Sequence, residues 1–481
     1  MAVDRKAPRA LHRQIYDAYR AAIVDGSLRP RQRIPSSRVL ASELGVSRFP
    51  VLNAYAQLLA EGYLESRVGA GTVVSSSLPD QLTSSRPAGT RLAAARPGPR
   101  PVARRCSCAD RPGGSPWLLG WGAFRVGQVA VDQFPLHVWS NLVARRCRNM
   151  DAKSFHYGDQ MGSKVLRETI ASYLRTARSL RCEAGQIMIV SGSQQALEIS
   201  ARVLLDPGNR VWVEEPCYSL AREVFALNGC QVVPVPIDQE GMDVGAGIKR
   251  WRKARAAFVT PSHQFPLGVT MSASRRFQLL DWAQNTGSWI IEDDYDSEYR
   301  YESLPIASLQ GLDANARVIY IGTFSKVLFP SLRLGYVVIP PDLVDRFLAI
   351  RRAMDLGPPT FHQEVLADFI GEGHFARHLR RMRVLYGERR VALVDSISKE
   401  LGSMIEVLGG EAGMHLVVTL PNGSRDLETA GRAARQNLWL WPLSPSYLDE
   451  SRPGFILGFG GTAVEEIPRA VRKLRNLLTT K

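Results

Sequence analysis

Six short apolar runs recur between residues 187 and 339, at 187–190, 211–213, 257–259, 289–291, 318–321 and 335–339. Each has the length of a single strand and no polar alternation, which fits a strand buried on both faces. Amphipathic stretches such as 194–205 and 274–285 separate several of them. Alternation of this kind folds into a largely parallel sheet covered by helices, so the chain belongs to the α/β class. After about Pro358 the pattern turns to long helices followed by apolar segments at 414–420 and 455–459, predicting a smaller α+β lobe. No internal repeat is visible in the sequence.

The first 75 residues are organised differently. Leu11, Ile15, Tyr19 and Ile23 fall four apart and form one apolar stripe on a helix, which Asp25-Gly26 ends. Ser36-Ser37 precede a short second helix with Val39, Leu40 and Leu44 facing inward. Ser47 is placed to cap a third helix running through Val51, Leu52, Tyr55, Leu58 and Leu59 to Gly62. Pro50 falls in its first turn, where a missing N–H costs little. The four-residue turn 44–47 makes the pair a helix-turn-helix, and 63–74 reads as two strands around Gly69-Ala70-Gly71, a wing. From 76 to 116 Ser, Pro, Gly and Arg dominate without apolar periodicity, as in an extended linker. The expected division is therefore 1–75, 76–116 and 117–481.

Charge supports that division. Residues 1–110 hold 17 Lys and Arg against 8 Asp and Glu, a balance of +9 out of the chain's +15. A small, strongly basic part suits a polyanionic partner, and double-stranded DNA is the usual one. Arg33, Arg38, Arg48 and Arg67 stand around the second helix, at the start of the third and in the wing, while Ser37, Ser47 and Thr72 can donate to phosphates. No apolar run approaches the roughly 18 residues a membrane span needs. The polar, basic start lacks a signal-peptide core, so a cytoplasmic protein is expected. Of the six cysteines only Cys106 and Cys108 are close, and without a His or Cys partner at ligand spacing they read as reduced thiols, not a metal site.

In the large part, polar residues gather where the expected strands end. Lys326 directly follows the run 318–321, at the carboxyl end where ligands of such sheets bind. Asp293 ends the run 289–291, and Tyr295 stands two residues on. Ser191-Gly192-Ser193-Gln194 follows a strand and opens a helix, so its backbone N–H groups form an anion site, and Arg333 can clamp the same anion. Tyr218 is placed to stack on a ring. A lysine, a carboxylate, an anion cradle and a stacking ring are the requirements of pyridoxal 5'-phosphate (PLP) chemistry.

Two resemblances follow from these residues. Arg33-Ile34-Pro35-Ser36-Ser37-Arg38, Leu44-Gly45-Val46-Ser47-Arg48, Glu61-Gly62-Tyr63-Leu64 and Gly69-Ala70-Gly71-Thr72 resemble a GntR-type winged helix. Tyr157-Gly158-Asp159-Gln160, Ser191 to Leu197, Pro261-Ser262-His263-Gln264-Phe265-Pro266, Glu292 to Glu298 and Gly322-Thr323-Phe324-Ser325-Lys326 resemble the fold-type I aminotransferases, specifically the MocR/GabR group of regulators. The resemblance implies a homodimer that carries PLP on Lys326, with His263, Thr323 and Ser325 joining the cofactor residues. It also implies a transcription regulator that reads operator DNA and senses an amino compound by aldimine exchange on the cofactor. The alternative is a working aminotransferase with an accessory DNA-binding domain.

Two departures stand out. Phe49-Pro50 replaces the small polar pair usual in the winged helix. Ile456 stands near where aminotransferases carry a carboxylate-binding arginine, and Arg452 is the nearest substitute. A missing clamp argues against efficient transamination of ordinary α-amino acids, because positioning supplies much of the rate.

Overall fold

The structure is a computed structural model, and the residues it describes are 3–5, 7–67, 71–76, 101, 103, 105, 117, 120–301 and 307–479. Nearly all of the expected linker and the Cys106–Cys108 pair lie outside the described residues. By its internal contacts the chain divides into two units, Met1–Pro101 and Val102–Lys481.

In the first unit, α1 (Leu11–Val24), α2 (Ser37–Glu43) and α3 (Arg48–Ala60) precede β1 (Leu64–Arg67) and β2 (Gly71–Val74). Ile15, Tyr19 and Ile23 of α1 pack with Val51, Tyr55 and Leu58 of α3 in one small core. Leu40 and Ala41 supply the buried side of α2, whereas Val39, expected inward, is exposed because it falls on the opposite side of that short helix. Ser36 caps α2 by accepting from the Val39 N–H at 3.3 Å. Ser47 holds the extended N-cap conformation before α3 but makes no side-chain cap bond. β1 and β2 pair antiparallel, Leu64 opposite Val74.

The second unit is built on an eight-stranded sheet. Its strands are β3 (Ile187–Val190), β4 (Arg210–Glu215), β5 (Gln231–Asp238), β6 (Gly241–Met242), β7 (Ala256–Val259), β8 (Trp289–Asp294), β9 (Val318–Thr323) and β10 (Gly335–Val338). They lie in the order β3-β10-β9-β8-β7-β4-β5-β6. The five from β9 to β5 run parallel, and β10 runs against both neighbours. Apolar residues of β3, β7, β8 and β9 are buried, as strands covered on both faces require. β5 was not evident from its sequence because Pro234 and Pro236 interrupt it. It is tolerated because only the two-residue β6 pairs with its outer side, leaving the proline positions without a ladder bond to lose there.

The smaller lobe carries helices Phe361–Gly371, His374–Leu401 and Ile467–Thr479 around an antiparallel sheet. Its strands are β11 (Glu406–Leu408), β12 (His415–Thr419), β13 (Trp441–Pro442) and β14 (Gly454–Gly458), in the order β11-β12-β14-β13. No helix among the described residues is long and apolar enough to cross a membrane.

Candidate functional site

The carboxyl ends of the parallel strands and the first turn after β3 open onto one cavity of about 200 Å³. Thr260 follows β7, Asp293, Tyr295 and Asp296 come from the end of β8, and Thr323, Ser325 and Lys326 from the end of β9. Ser193 and Gln194 open the helix after β3, and Arg333 precedes β10. Among the expected cofactor residues Lys326, Asp293, Tyr295, Ser193, Gln194, Tyr218, Thr323, Ser325 and Arg333 all line this space.

Backbone geometry fixes the two ends of the cavity. Gly192 has φ +93°, and a Cβ there would lie 3.3 Å from the Arg333 guanidinium, so only glycine allows that cation against the turn. Arg333 Nη2 donates to the Ser191 carbonyl at 2.6 Å, and its own φ of 50° holds a left-handed conformation unusual outside glycine. At the other end Gly127, φ +75°, presents bare backbone to Lys326: an added Cβ would fall 2.3 Å from Nζ.

Burial sets the charges. The Lys326 amine is enclosed by protein, and that desolvation lowers its pKa from the usual lysine value. Desolvation also pushes the Asp293 carboxyl up to about 7, helped by the neighbouring Asp294 and Asp296. Asp294 is committed elsewhere: Arg178 Nη2 donates to it at 2.5 Å and Tyr320 Oη at 2.5 Å. Asp293 Oδ1 and Ser325 Oγ are buried without a hydrogen-bond partner. Orphaned groups of this kind cost free energy unless a ligand satisfies them. A carboxyl oxygen without a partner, a buried amine whose pKa is lowered and a turn of backbone N–H groups at a helix N-terminus beside Arg333 fit PLP.

His263 is a correction to the sequence expectation, because it does not line the cavity. It lies behind Tyr295, buried, with Nδ1 at 3.1 Å from Asp296 Oδ2 and 3.1 Å from Tyr295 Oη. Tyr295 Oη also donates to the His263 carbonyl at 2.9 Å. Its role is to support Tyr295 from behind. Arg452 does not reach the cavity either: it is exposed, two residues before β14 begins, near Tyr447. Ile456 is buried within β14 beside Trp441. The sequence reading missed Val126, Gly127, Phe265, Met414, His415 and Trp441, which line the remaining wall. They come from separated segments with no shared spacing to mark them.

On the first unit, Arg33, Arg38, Ser47 and Arg48 are exposed and Ser37 and Thr72 half-buried. Arg48 opens α3 and its Nε donates to Ser37 Oγ at 3.1 Å, which draws the start of α3 and the start of α2 together. The Arg33 guanidinium lies against Gly71 at the wing, and Ile34 N–H donates to the Thr72 carbonyl at 3.0 Å. Arg67 ends β1, and its side chain lies outside the described residues, as do residues 68–70 of the wing turn. Phe49, 70% exposed in the first turn of α3, sets an apolar ring beside Arg48. Arg48→Ala is expected to weaken operator binding by about 1–3 kcal/mol, the value of a bidentate base contact. Fluorescence anisotropy on operator DNA measures it, and an unchanged affinity would make Arg48 a plain surface charge.

Comparison with known proteins agrees with both halves. Residues 123–451 match the family described as aminotransferase class I and II, and residues 11–74 match bacterial regulatory proteins, gntR family. The "Probable rhizopine catabolism regulatory protein MocR" of Rhizobium meliloti is 38% identical over 478 residues, 99% of this chain and 95% of that one. An HTH-type transcriptional regulator of Bacillus subtilis, YhdI, is 34% identical over 98% of this chain and 97% of its own. The α-aminoadipate aminotransferase LysN of Thermus thermophilus, solved with N-(5'-phosphopyridoxyl)-L-leucine, is 28% identical with a TM-score of 0.70, covering 75% of this chain and 93% of that one. The chain therefore belongs to the MocR/GabR family of DNA-binding transcriptional regulators, a GntR-type winged helix joined to a PLP-dependent, fold-type I aminotransferase domain.

Proposed function

We propose that the chain works in the cytoplasm as a homodimeric regulator that senses an amino compound through PLP held on Lys326. The observation that carries this reading is Lys326 itself, a buried amine with a lowered pKa in one cavity with Asp293 and Arg333. When bound, PLP supplies a carbonyl carbon that primary amines attack and a ring that withdraws electrons. Burial disfavours the ammonium form of Lys326, which favours the free amine that would attach to that carbon. Asp293, buried in the cavity with Oδ1 unpartnered, would hold the ring nitrogen of bound PLP and favour its protonated form. Tyr295, whose pKa burial raises well above that of free tyrosine, stays protonated, and with its own hydrogen given to the His263 carbonyl its oxygen would accept from the ring hydroxyl of bound PLP. Arg333 and the N–H groups of the turn at Ser193 and Gln194 receive the phosphate. Tyr218, which lines the same cavity, would stack on the ring of bound PLP. Arg33, Ser37, Arg38, Ser47, Arg48, Arg67 and Thr72 contact the operator. Pairing of two chains is supported by large apolar side chains left in solvent, among them Phe155 and Tyr157, the latter 89% exposed.

The test is the visible spectrum of the purified protein with added PLP while amino compounds are titrated one at a time. A band that one compound shifts and holds, with a change in operator affinity, is the expected result. Steady formation of a keto product would make the chain a working aminotransferase. Absence of any band would overturn the cofactor assignment.

A further inference from the structure

α3 is the second helix of the helix-turn-helix, and Arg48 is the one charged residue along its length. Val51, Ala54, Tyr55 and Leu58 make its buried side. At about 100° per residue, Phe49, Leu52, Asn53 and Ala56 fall together on the opposite side. All four are exposed, Phe49 by 70% and Leu52 by 42%. A surface helix ordinarily turns charged groups to water, and one apolar on every side is covered by something. α3 has the composition of a covered helix and an open outer face.

The charge that suits DNA stands beside this face, not on it. Arg48 opens α3, and its Nε donates to Ser37 Oγ at 3.1 Å, which brings Arg38 at the start of α2 to the same end. Such cations suit phosphates, which carry no sequence information. The outer face meets the bases instead, because the second helix of such a unit lies in the major groove with its N-terminal residues against base edges. The apolar group displayed in that groove is the C5-methyl of thymine. Phe49 and Leu52, three residues apart on one side, are matched to it. Asn53, one turn after Phe49, carries the side-chain amide that pairs with N6 and N7 of adenine. Both preferences select the same base pair.

We propose that the outer face of α3 reads A·T pairs, with Phe49 and Leu52 packed on thymine C5-methyl groups and Asn53 on an adenine edge. The proposal rests on the operator-binding reading given above and names the bases that reading leaves open. The full-length protein is used to select duplexes from a random-sequence pool, and the enriched duplex becomes the probe for fluorescence anisotropy. Each thymine of that site is then replaced in turn by deoxyuridine, which removes the methyl group alone. At one or more positions affinity is expected to fall about fourfold, the value of one buried methyl-sized group. Phe49→Ala and Leu52→Ala lie on the exposed side, so the thermal midpoint of each should stay near that of wild type. Each variant is expected to bind thymine and deoxyuridine equally at the position its side chain reads. Asn53→Ala should likewise stop distinguishing adenine from 7-deazaadenine, which lacks the N7 acceptor.

Wild-type protein that binds every deoxyuridine duplex as tightly as the parent overturns the proposal. So does an enriched site made of G·C pairs alone, or a Phe49→Ala, Leu52→Ala double variant that keeps the full thymine preference. Unchanged DNA affinity in that double variant together with lost self-association would give the face to a second copy of the chain and overturn it as well. A pool from which no sequence is enriched fails earlier, at the operator reading itself, and is told apart by that result.

Discussion

Lys326→Ala should purify as a folded, colourless dimer that shows no visible band after PLP is added. The size of the effect follows from where the amine sits. Lys326 is the lysine that lines the cavity, so no neighbouring amine can take over its bond to the cofactor. Folding should survive for a physical reason as well. The amine lies in a low-dielectric site that lowers its pKa, so in the PLP-free protein it is a desolvated group whose cost the nearby Asp296 and Asp293 recover only in part. Truncation removes that burden and merely enlarges a space of about 200 Å³ that the native fold already tolerates. The lost side-chain packing and the relieved desolvation oppose each other, so the thermal midpoint of the PLP-free variant should stay within a few degrees of wild type. Absorbance, size-exclusion chromatography and a melting curve on one sample decide the matter. A persistent visible band would sink the assignment of the lysine, and an unfolded protein would show that the side chain is structural.

Much of this arrangement could be read from the sequence because local signals and three-dimensional roles coincide there. The strands leading to Asp293 and Lys326 begin as short apolar runs, and the polar residues of the site stand at or just after their ends, where a parallel sheet presents them. The Ser191–Gln194 turn works in the same way, since strand, turn and helix are consecutive in the chain. What could not be read is what the lobe and the distant segments add. Val126, His415 and Trp441 meet only because β12, β13 and β14 close against the cavity, and no spacing in the chain records that. His263 was placed on the correct loop but one layer too close, since the loop turns its ring beneath Tyr295 towards Asp296. β5 escaped because prolines argue against a strand unless its edge position is already known. Arg452 was chosen by nearness in sequence, and its place two residues before β14 leaves it in solvent.

Asp293→Asn should change sign between the PLP-free and the PLP-bound protein, which separates a cofactor role from a structural one. In the PLP-free fold the Asp293 carboxyl titrates at about 7, raised first by burial and then by Asp294 and Asp296. An unfolded aspartate titrates near pH ~3.9, so between about pH 4 and 7 the native state binds the extra proton. Stability from this group is therefore full at acid pH and falls as pH rises through that window, levelling off above it. Asparagine carries no charge and escapes the loss. At pH 8 the PLP-free variant should be more stable than PLP-free wild type, by about 2–4 kcal/mol, and the two should converge near pH ~4. With PLP the order reverses. The wild-type carboxylate then faces a protonated ring nitrogen, and removing one partner of a buried ion pair costs about 3–5 kcal/mol, which is more than a hundredfold in affinity. Urea unfolding at pH 4 and 8 without cofactor, beside a PLP titration at pH 8, measures both arms. A variant less stable than wild type at pH 8 without PLP would show that Asp293 serves the fold, and equal PLP affinity would show that it does not serve the cofactor.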